Sequence, residues 1–290
     1  MAGAMRGPDS GPESVTNAFT VDLEDWYQGL EIDMGEWGPL EDRLEIGTRA
    51  LLGLLEEAGV KATFFALGYA AERHPGLIRE ICALGHELGT HGYSHRFVYR
   101  LEAEAFRHDL RRSVEVLEGI AGVRVVGHRA PFFSITRKAP WAFQILRECG
   151  MVYDSSVFPV RNYRYGDPAA PRWIHQVHEG LVEFPLSTCR LWGHNVPVGG
   201  GAYFRILPYT YTERGMRRIN AKGQAAVFYI HPWELDPGQP RLRLPRRISL
   251  THYWNLHGTG ERLRRVLADF RFAPMGSVLG IVSGRLQEGS

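Results

Sequence analysis

The sequence predicts an α/β fold in which parallel strands alternate with helices packed outside them. Three observations carry that expectation. Short β-prone runs and amphipathic helical runs follow one another in turn, their connections are short, and several strand-like runs stop abruptly in acids, histidines or arginine. In parallel α/β sheets the carboxyl ends of the strands share one rim, so side chains distant in sequence converge there.

The chain opens with a stretch through Thr16 rich in Gly, Pro, Ser and charge, which reads as a disordered tail over residues 1–16. Asn17-Ala18-Phe19-Thr20-Val21 is β-prone and ends in Asp22-Leu23-Glu24-Asp25. Over 41–58, Leu44, Leu51 and Leu55 recur at helical spacing, and Gly59 stands at the C-cap position. A buried strand fits 60–66, a helix 74–83 with Pro75 in its first turn, and a strand 87–90 that runs into His91. A helix over 101–120, a strand over 123–127 and a helix over 138–149 follow, and Val152-Tyr153 leads into Asp154-Ser155-Ser156. Residues 158–207, rich in Pro, Gly and aromatics, read as a loop-rich insertion over one face. Regular structure returns as a helix at 213–222, a strand at 225–230 ending in His231-Pro232-Trp233, and a last helix near 260–270.

At about 150 residues per domain, 290 residues suggest two domains, but single barrels often reach this size. The reading here is one barrel over residues 17–275, with a C-terminal tail at 276–290. A charge balance of 34 Lys+Arg against 32 Asp+Glu gives no pointer to nucleic acid or an acidic membrane. Cys82, Cys149 and Cys189 lie far apart without a CxxC pair, against a disulfide framework or thiolate zinc site. No apolar run approaches the ~20 residues of a membrane span, and no signal-peptide core is visible, which leads to an expected cytoplasmic location.

Twelve histidines are present, and their placement is uneven. His91 and His95 stand four apart; on a helical turn they would aim at one point and hold a divalent metal. A carboxylate from the Asp22–Asp25 run would complete a two-histidine, one-acid set of the kind that holds catalytic zinc. Hydrolysis at such a centre also needs a base and an acid, for which Asp22 and His231 are placed on separate strand ends.

Four ordered blocks then resemble a known family. Thr20-Val21-Asp22-Leu23-Glu24-Asp25, Lys61-Ala62-Thr63-Phe64-Phe65, the run from Gly85 to His95, and Arg129-Ala130-Pro131-Phe132 are similar to the polysaccharide deacetylases of carbohydrate esterase family 4. Later segments around Tyr153, Gly199 and His231 look like the subgroup associated with bacterial exopolysaccharide loci. The resemblance implies a distorted (β/α) barrel, a divalent metal that is usually zinc, and removal of N-acetyl groups from an N-acetylated polysaccharide or oligosaccharide. It also implies roles: His91 and His95 as metal ligands, Asp22 as general base, Arg129 as its orienting partner, and His231 as general acid. Tyr93, Pro131, Phe132, Tyr203, Arg205 and Trp233 are expected against substrate, and Trp192 and Trp254 are further stacking candidates. A backbone N–H at Tyr93 or Ser94 would serve the oxyanion.

Two departures stand out. The family's adjacent aspartates are replaced by Asp22-Leu23-Glu24-Asp25, so Glu24 and Asp25 compete as third metal ligand; extended geometry favours Glu24, which would share a side with Asp22. No aspartate lies between Asp167 and His231 to tune the acid, and Glu183 is the candidate substitute. Two other readings keep the residues but change the function: an allantoinase-like hydrolase of a small amide, and a catalytically silent carbohydrate-binding protein.

Overall fold

The structure, a computed structural model, describes residues 15–162 and 164–281. Most of the expected N-terminal tail and the last nine residues of the expected C-terminal tail lie outside them. In order, the elements are β1 (Thr16–Leu23), α1 (Leu44–Glu57), β2 (Thr63–Ala66), α2 (Gly68–Arg73), α3 (Pro75–Ala83), β3 (Glu87–Thr90), α4 (Ala103–Ala121), β4 (Gly127–His128), α5 (Ala142–Glu148) and β5 (Tyr153–Asp154). Then come β6 (His175–His178), β7 (Leu181–Glu183), β8 (Thr188–Leu191), β9 (His194–Pro197), α6 (Gly201–Ile206), α7 (Tyr209–Asn220), β10 (Val227–Ile230), α8 (Arg246–Tyr253), α9 (Leu256–Asp269), β11 (Arg271–Ala273) and α10 (Met275–Leu279).

Nine strands form one curled sheet in the order β10-β1-β2-β3-β4-β5-β7-β6, with β11 alongside the start of β1. All pairings are parallel except β6 with β7. The free edge of β10 is covered by the residues just before β8 and just after β9. Tyr229 donates its N–H to Gly199 at 2.8 Å, and Val227 donates to Ser187 Oγ at 2.7 Å. A Cβ on Gly200 would lie 1.9 Å from the Tyr229 carbonyl oxygen, so only glycine permits this closure. The result is the expected distorted barrel.

The strand pleat decides which side chains meet chemistry and which meet helices. Phe19, Val21, Leu23, Phe64, Ala66, Phe228 and Ile230 face outward into a core with Leu51, Leu55, Ile78, Ile81, Met216 and Leu263 of the surrounding helices. Burying each such large side chain contributes roughly 1.5–3 kcal/mol. Ala18, Phe65, Tyr153, Val227 and Tyr229 face inward with Met275. At the carboxyl ends the inward positions are Asp22, His91, Arg129 and His231.

Several expected boundaries change. The strand expected at 123–127 pairs only over Gly127–His128. The expected loop region 158–207 contains β6 to β9 and α6; these are only three to six residues each, too short for periodicity to expose. The expected C-terminal tail begins instead with α10, which closes the barrel bottom. Met275 donates its N–H to Thr63 Oγ1 at 2.7 Å and Gly276 to Glu87 Oε2 at 2.9 Å.

Candidate active site

Asp22 ends the inward row of β1. Its Oδ1 accepts from Arg129 Nη1 at 2.7 Å, and its Oδ2 lies 3.8 Å from His231 Nε2. Arg129 is fully buried and each nitrogen of its guanidinium donates: Nη1 also donates to Thr20 Oγ1 at 2.8 Å, Nε to the Ser155 carbonyl at 3.1 Å and Nη2 to Ser155 Oγ at 3.0 Å. The guanidinium rests 4.4 Å from the Phe65 ring centroid. A cation so fixed keeps the Asp22 carboxylate in one orientation.

Glu24, His91 and His95 form the one group among the described residues whose ligand atoms gather within metal-binding reach, all within 4.8 Å of one another. Glu24 Oε2 lies 2.5 Å from His95 Nε2 and 3.8 Å from His91 Nε2. His91 Nδ1 donates to the Arg129 carbonyl at 2.8 Å, which leaves its Nε2 lone pair facing Glu24. Burial pushes His91 down to about 4, favouring the neutral ring that a metal ligand requires. Burial works against a charge on Glu24, but the His95, His231 and His91 imidazoles outweigh it and hold the carboxyl well below its usual range. Three buried donors of this chemistry fit a divalent cation.

The route to that geometry differs from the expected one. Beyond Leu23 the strand does not continue; Glu24 N–H folds back onto the Asp22 carbonyl at 3.0 Å, and this tight turn puts the two carboxylates together. His91 and His95 do not lie on a helical turn either. They are joined by an irregular loop with φ of +75° at Gly92 and +51° at His95. Asp109, unmarked in the sequence, pins that loop to α4 by accepting from Tyr93 N–H at 2.8 Å and from Ser94 Oγ.

Asp25, the other candidate for the third metal ligand, stands outside the group formed by Glu24, His91 and His95. Its two oxygens accept the Trp26 and Arg43 backbone N–H groups, each at 2.7 Å, so it ties the rim to the start of α1. Burial pushes its carboxyl up to about 6 in spite of those bonds. Glu183 does not reach His231; it is fully buried on the outward face and accepts from Val157 N–H at 2.9 Å. The partner of His231 is Glu234, whose Oε1 lies 2.8 Å from Nδ1 and also accepts the His231 N–H at 3.0 Å. The signal was present as a histidine at an N-cap with glutamate three residues on, the spacing of a capping box. Burial disfavours the His231 cation, yet Glu234, Glu24 and Asp22 raise it to about 9.

The substrate-facing expectations divide. Phe132 lines the cleft, held at φ 56° with Phe133 at 50°, a conformation rarely adopted by bulky residues. Trp233 also lines it, but its indole is 8% exposed, stacks with His231 and His252, and donates Nε1–H to Glu24 Oε1 at 3.3 Å. It braces the site and leaves little face for a sugar. Arg205 edges the cleft with its hydrogen-bonding capacity committed to Glu234 and to the carbonyls of Thr251, His252 and Trp254. Tyr93, Pro131 and Tyr203 lie off the cleft lining. The Tyr93 hydroxyl donates to Glu72 and its N–H is spent on Asp109, so it does not serve an oxyanion. Trp192 is 90% exposed at the tip between β8 and β9, and Trp254 also stands outside the cleft lining.

Residues 34–153 match the family model for polysaccharide deacetylase, and residues 155–280 match a domain of unknown function (DUF3473). Parts of the chain are similar to curated proteins. A peptidoglycan-N-acetylglucosamine deacetylase of Bacillus cereus is 33% identical over 33% of the chain and 35% of its own length. A peptidoglycan deacetylase of Helicobacter pylori is 30% identical over 49% and 53%, and a chitooligosaccharide deacetylase of Azorhizobium caulinodans 31% over 34% and 45%. The chain thus spans about a third to a half of the length of these relatives. Among solved structures, a candidate polysaccharide deacetylase from Mycobacterium smegmatis is 25% identical with a TM-score of 0.64, covering 100% of this chain and 98% of that one. An allantoinase shares the fold at a TM-score of 0.60, 16% identity and coverage of 94% and 90%. The deacetylase match contains His91, His95 and Arg129, whereas Asp22 and Glu24 precede it and His231 falls in the second match.

Proposed function

We propose that the chain is a metal-dependent hydrolase that removes N-acetyl groups from N-acetylhexosamine units of a polysaccharide or its precursor, releasing acetate and a free amine. The convergence of Glu24, His91 and His95 beside an Asp22–Arg129 pair and a Glu234-held His231 carries this reading. The deacetylase relatives support the acyl group and the sugar, and the segments around Tyr153, Gly199 and His231 favour an exopolysaccharide.

Glu24, His91 and His95 would hold a divalent cation, zinc in our reading, which supplies Lewis acidity toward water and the acetamide carbonyl. Asp22 accepts the proton of the attacking water at Oδ2, the oxygen that Arg129 leaves free. Arg129 keeps that carboxylate aimed. His231 presents Nε2 to the leaving nitrogen and donates its proton as the C–N bond breaks, while Glu234 holds the Nδ1–H and fixes the ring. The new C–O bond joins water oxygen to the acyl carbon, and acetate departs.

Measuring bound metal and acetate release from N-acetylglucosamine oligomers tests the proposal. Asp22→Asn is expected to keep metal and lose turnover, and His91→Ala to lose both. Full activity in both variants, or after exhaustive chelation, would overturn it.

A further inference from the structure

Arg164 stands in the cleft wall with hydrogen-bonding capacity that the fold leaves unused. Its backbone is clamped: Tyr99 Oη donates to its carbonyl at 2.8 Å and its own N–H donates to Asn162 Oδ1 at 2.9 Å. The guanidinium lies over Phe132, 4.8 Å from the ring centroid, and Phe132 meets His95 edge-on with centroids 4.4 Å apart. The cation therefore sits one aromatic ring away from a metal-ligand histidine. Its Nε is 2.9 Å from Glu31 Oε1, and Arg100 Nη1 is 3.6 Å from the other oxygen of that carboxylate. Two guanidinium cations share one carboxylate, which leaves a positive charge at this rim. Nη2 of Arg164 is buried and has no hydrogen-bond partner among the described residues. Buried donors are nearly always paired, and a charged one left unpaired is costly. Arg205, the other arginine on the cleft, shows the contrast, with Glu234 and three carbonyls around it.

We propose that Arg164 binds a carboxylate carried by the substrate beside the N-acetyl group that is removed. A planar guanidinium fork suits a carboxylate, and the Phe132 ring beneath it fixes the fork in place. The substrate class is an acidic N-acetylated oligosaccharide, in which the carboxylate belongs either to a neighbouring hexuronic acid or to an acidic ether on the amino sugar. This inference rests on the deacetylase reading and narrows its substrate.

Calorimetric titration of the full chain separates the possibilities. A hyaluronan hexasaccharide supplies the hexuronic acid, an N-acetylglucosamine–N-acetylmuramic acid disaccharide the acidic ether, and chitohexaose and chitobiose are the neutral partners of equal length. At least one acidic oligomer is expected to bind roughly tenfold more tightly than its neutral partner, about 1.4 kcal/mol. The one that does identifies the source of the carboxylate. The preference should shrink as ionic strength rises, vanish in Arg164→Gln and survive in part in Arg164→Lys. No difference between acidic and neutral oligomers, absence of binding included, overturns the proposal, as does an undiminished preference in Arg164→Gln. Because binding is read without turnover, an Arg164-dependent preference without acetate release would refute only the deacetylase reading.

Discussion

Asp22, Glu24 and Asp25 are near neighbours in sequence, and their hydrogen-bond partners give them three different tasks. Asp22 faces a guanidinium, Glu24 faces imidazoles, and Asp25 faces two backbone N–H groups. Glu24→Gln should therefore lose bound metal, because the carboxylate is the anionic member of the set. Asp25→Asn should keep metal and lower thermal stability by about 1–3 kcal/mol, since an amide offers one acceptor where two are needed. Metal analysis and thermal unfolding of both variants check this pair, and metal loss in Asp25→Asn would reverse the assignment. Glu234 is the residue through which the rest of the molecule reaches His231. Burial disfavours its charge, but Arg205 and His231 bring its carboxyl down to about 2. Glu234→Gln is expected to reduce kcat on the order of a hundredfold with a smaller change in KM, because the imidazole loses its anionic anchor rather than its place beside the substrate.

Elements set these residues in place through close contacts. A Cβ on Gly47 of α1 would fall 2.1 Å from the Pro232 carbonyl, so α1 and the turn that carries His231 and Trp233 touch backbone to backbone. Gly47→Ala should destabilise by roughly 1–3 kcal/mol and reduce activity, checked by denaturation and acetate release. Between β2 and β3, His86 Nδ1 accepts the Ala62 N–H at 3.1 Å, a bond available only to the neutral ring. Burial, helped by Lys61, brings His86 down to about 4 from an ordinary 6.5. A histidine with a lowered folded pKa contributes its full stability above about pH 6.5 and loses it as pH falls toward 4, on the order of 3 kcal/mol in all. His86→Gln, which keeps an acceptor without titrating, should flatten the fall in stability between pH 7 and 4; an unchanged slope would refute the assignment. The rim itself was legible in the sequence because inward positions at strand ends follow the period-two pleat, which marks Asp22, His91, Arg129 and His231 without knowledge of the fold. Asp109 and Arg164 were not legible, because each acts from a helix face or a loop whose contacts cross more than ten residues, whereas Glu234 was marked only by its capping-box spacing from His231. The short strands of the 158–207 region were hidden for a related reason: three or four residues cannot show a period.

At the scale of the whole molecule, the two family matches meet near residue 154, but the sheet does not divide there. β1 pairs with β2 on one edge and with β10 on the other, and β11 extends the first of those edges. The second match thus supplies the neighbour that buries Phe19 and Val21, His231, and the helix that plugs the barrel bottom at Met275. The site has the same dependence, since Asp22 and Glu24 come from one end of the chain and His231 from the other. Residues 15–281 should accordingly unfold in urea as one unit, with tryptophan fluorescence and circular dichroism giving coincident transitions. A fragment ending at residue 154 keeps β1 to β5 but exposes the β10 edge of β1 together with its outward apolar row. It should show no cooperative transition and should associate through that edge. Two separate transitions in the whole chain, or a cooperatively folded fragment, would mean that the two halves are independent domains and that the cleft is assembled by docking between them.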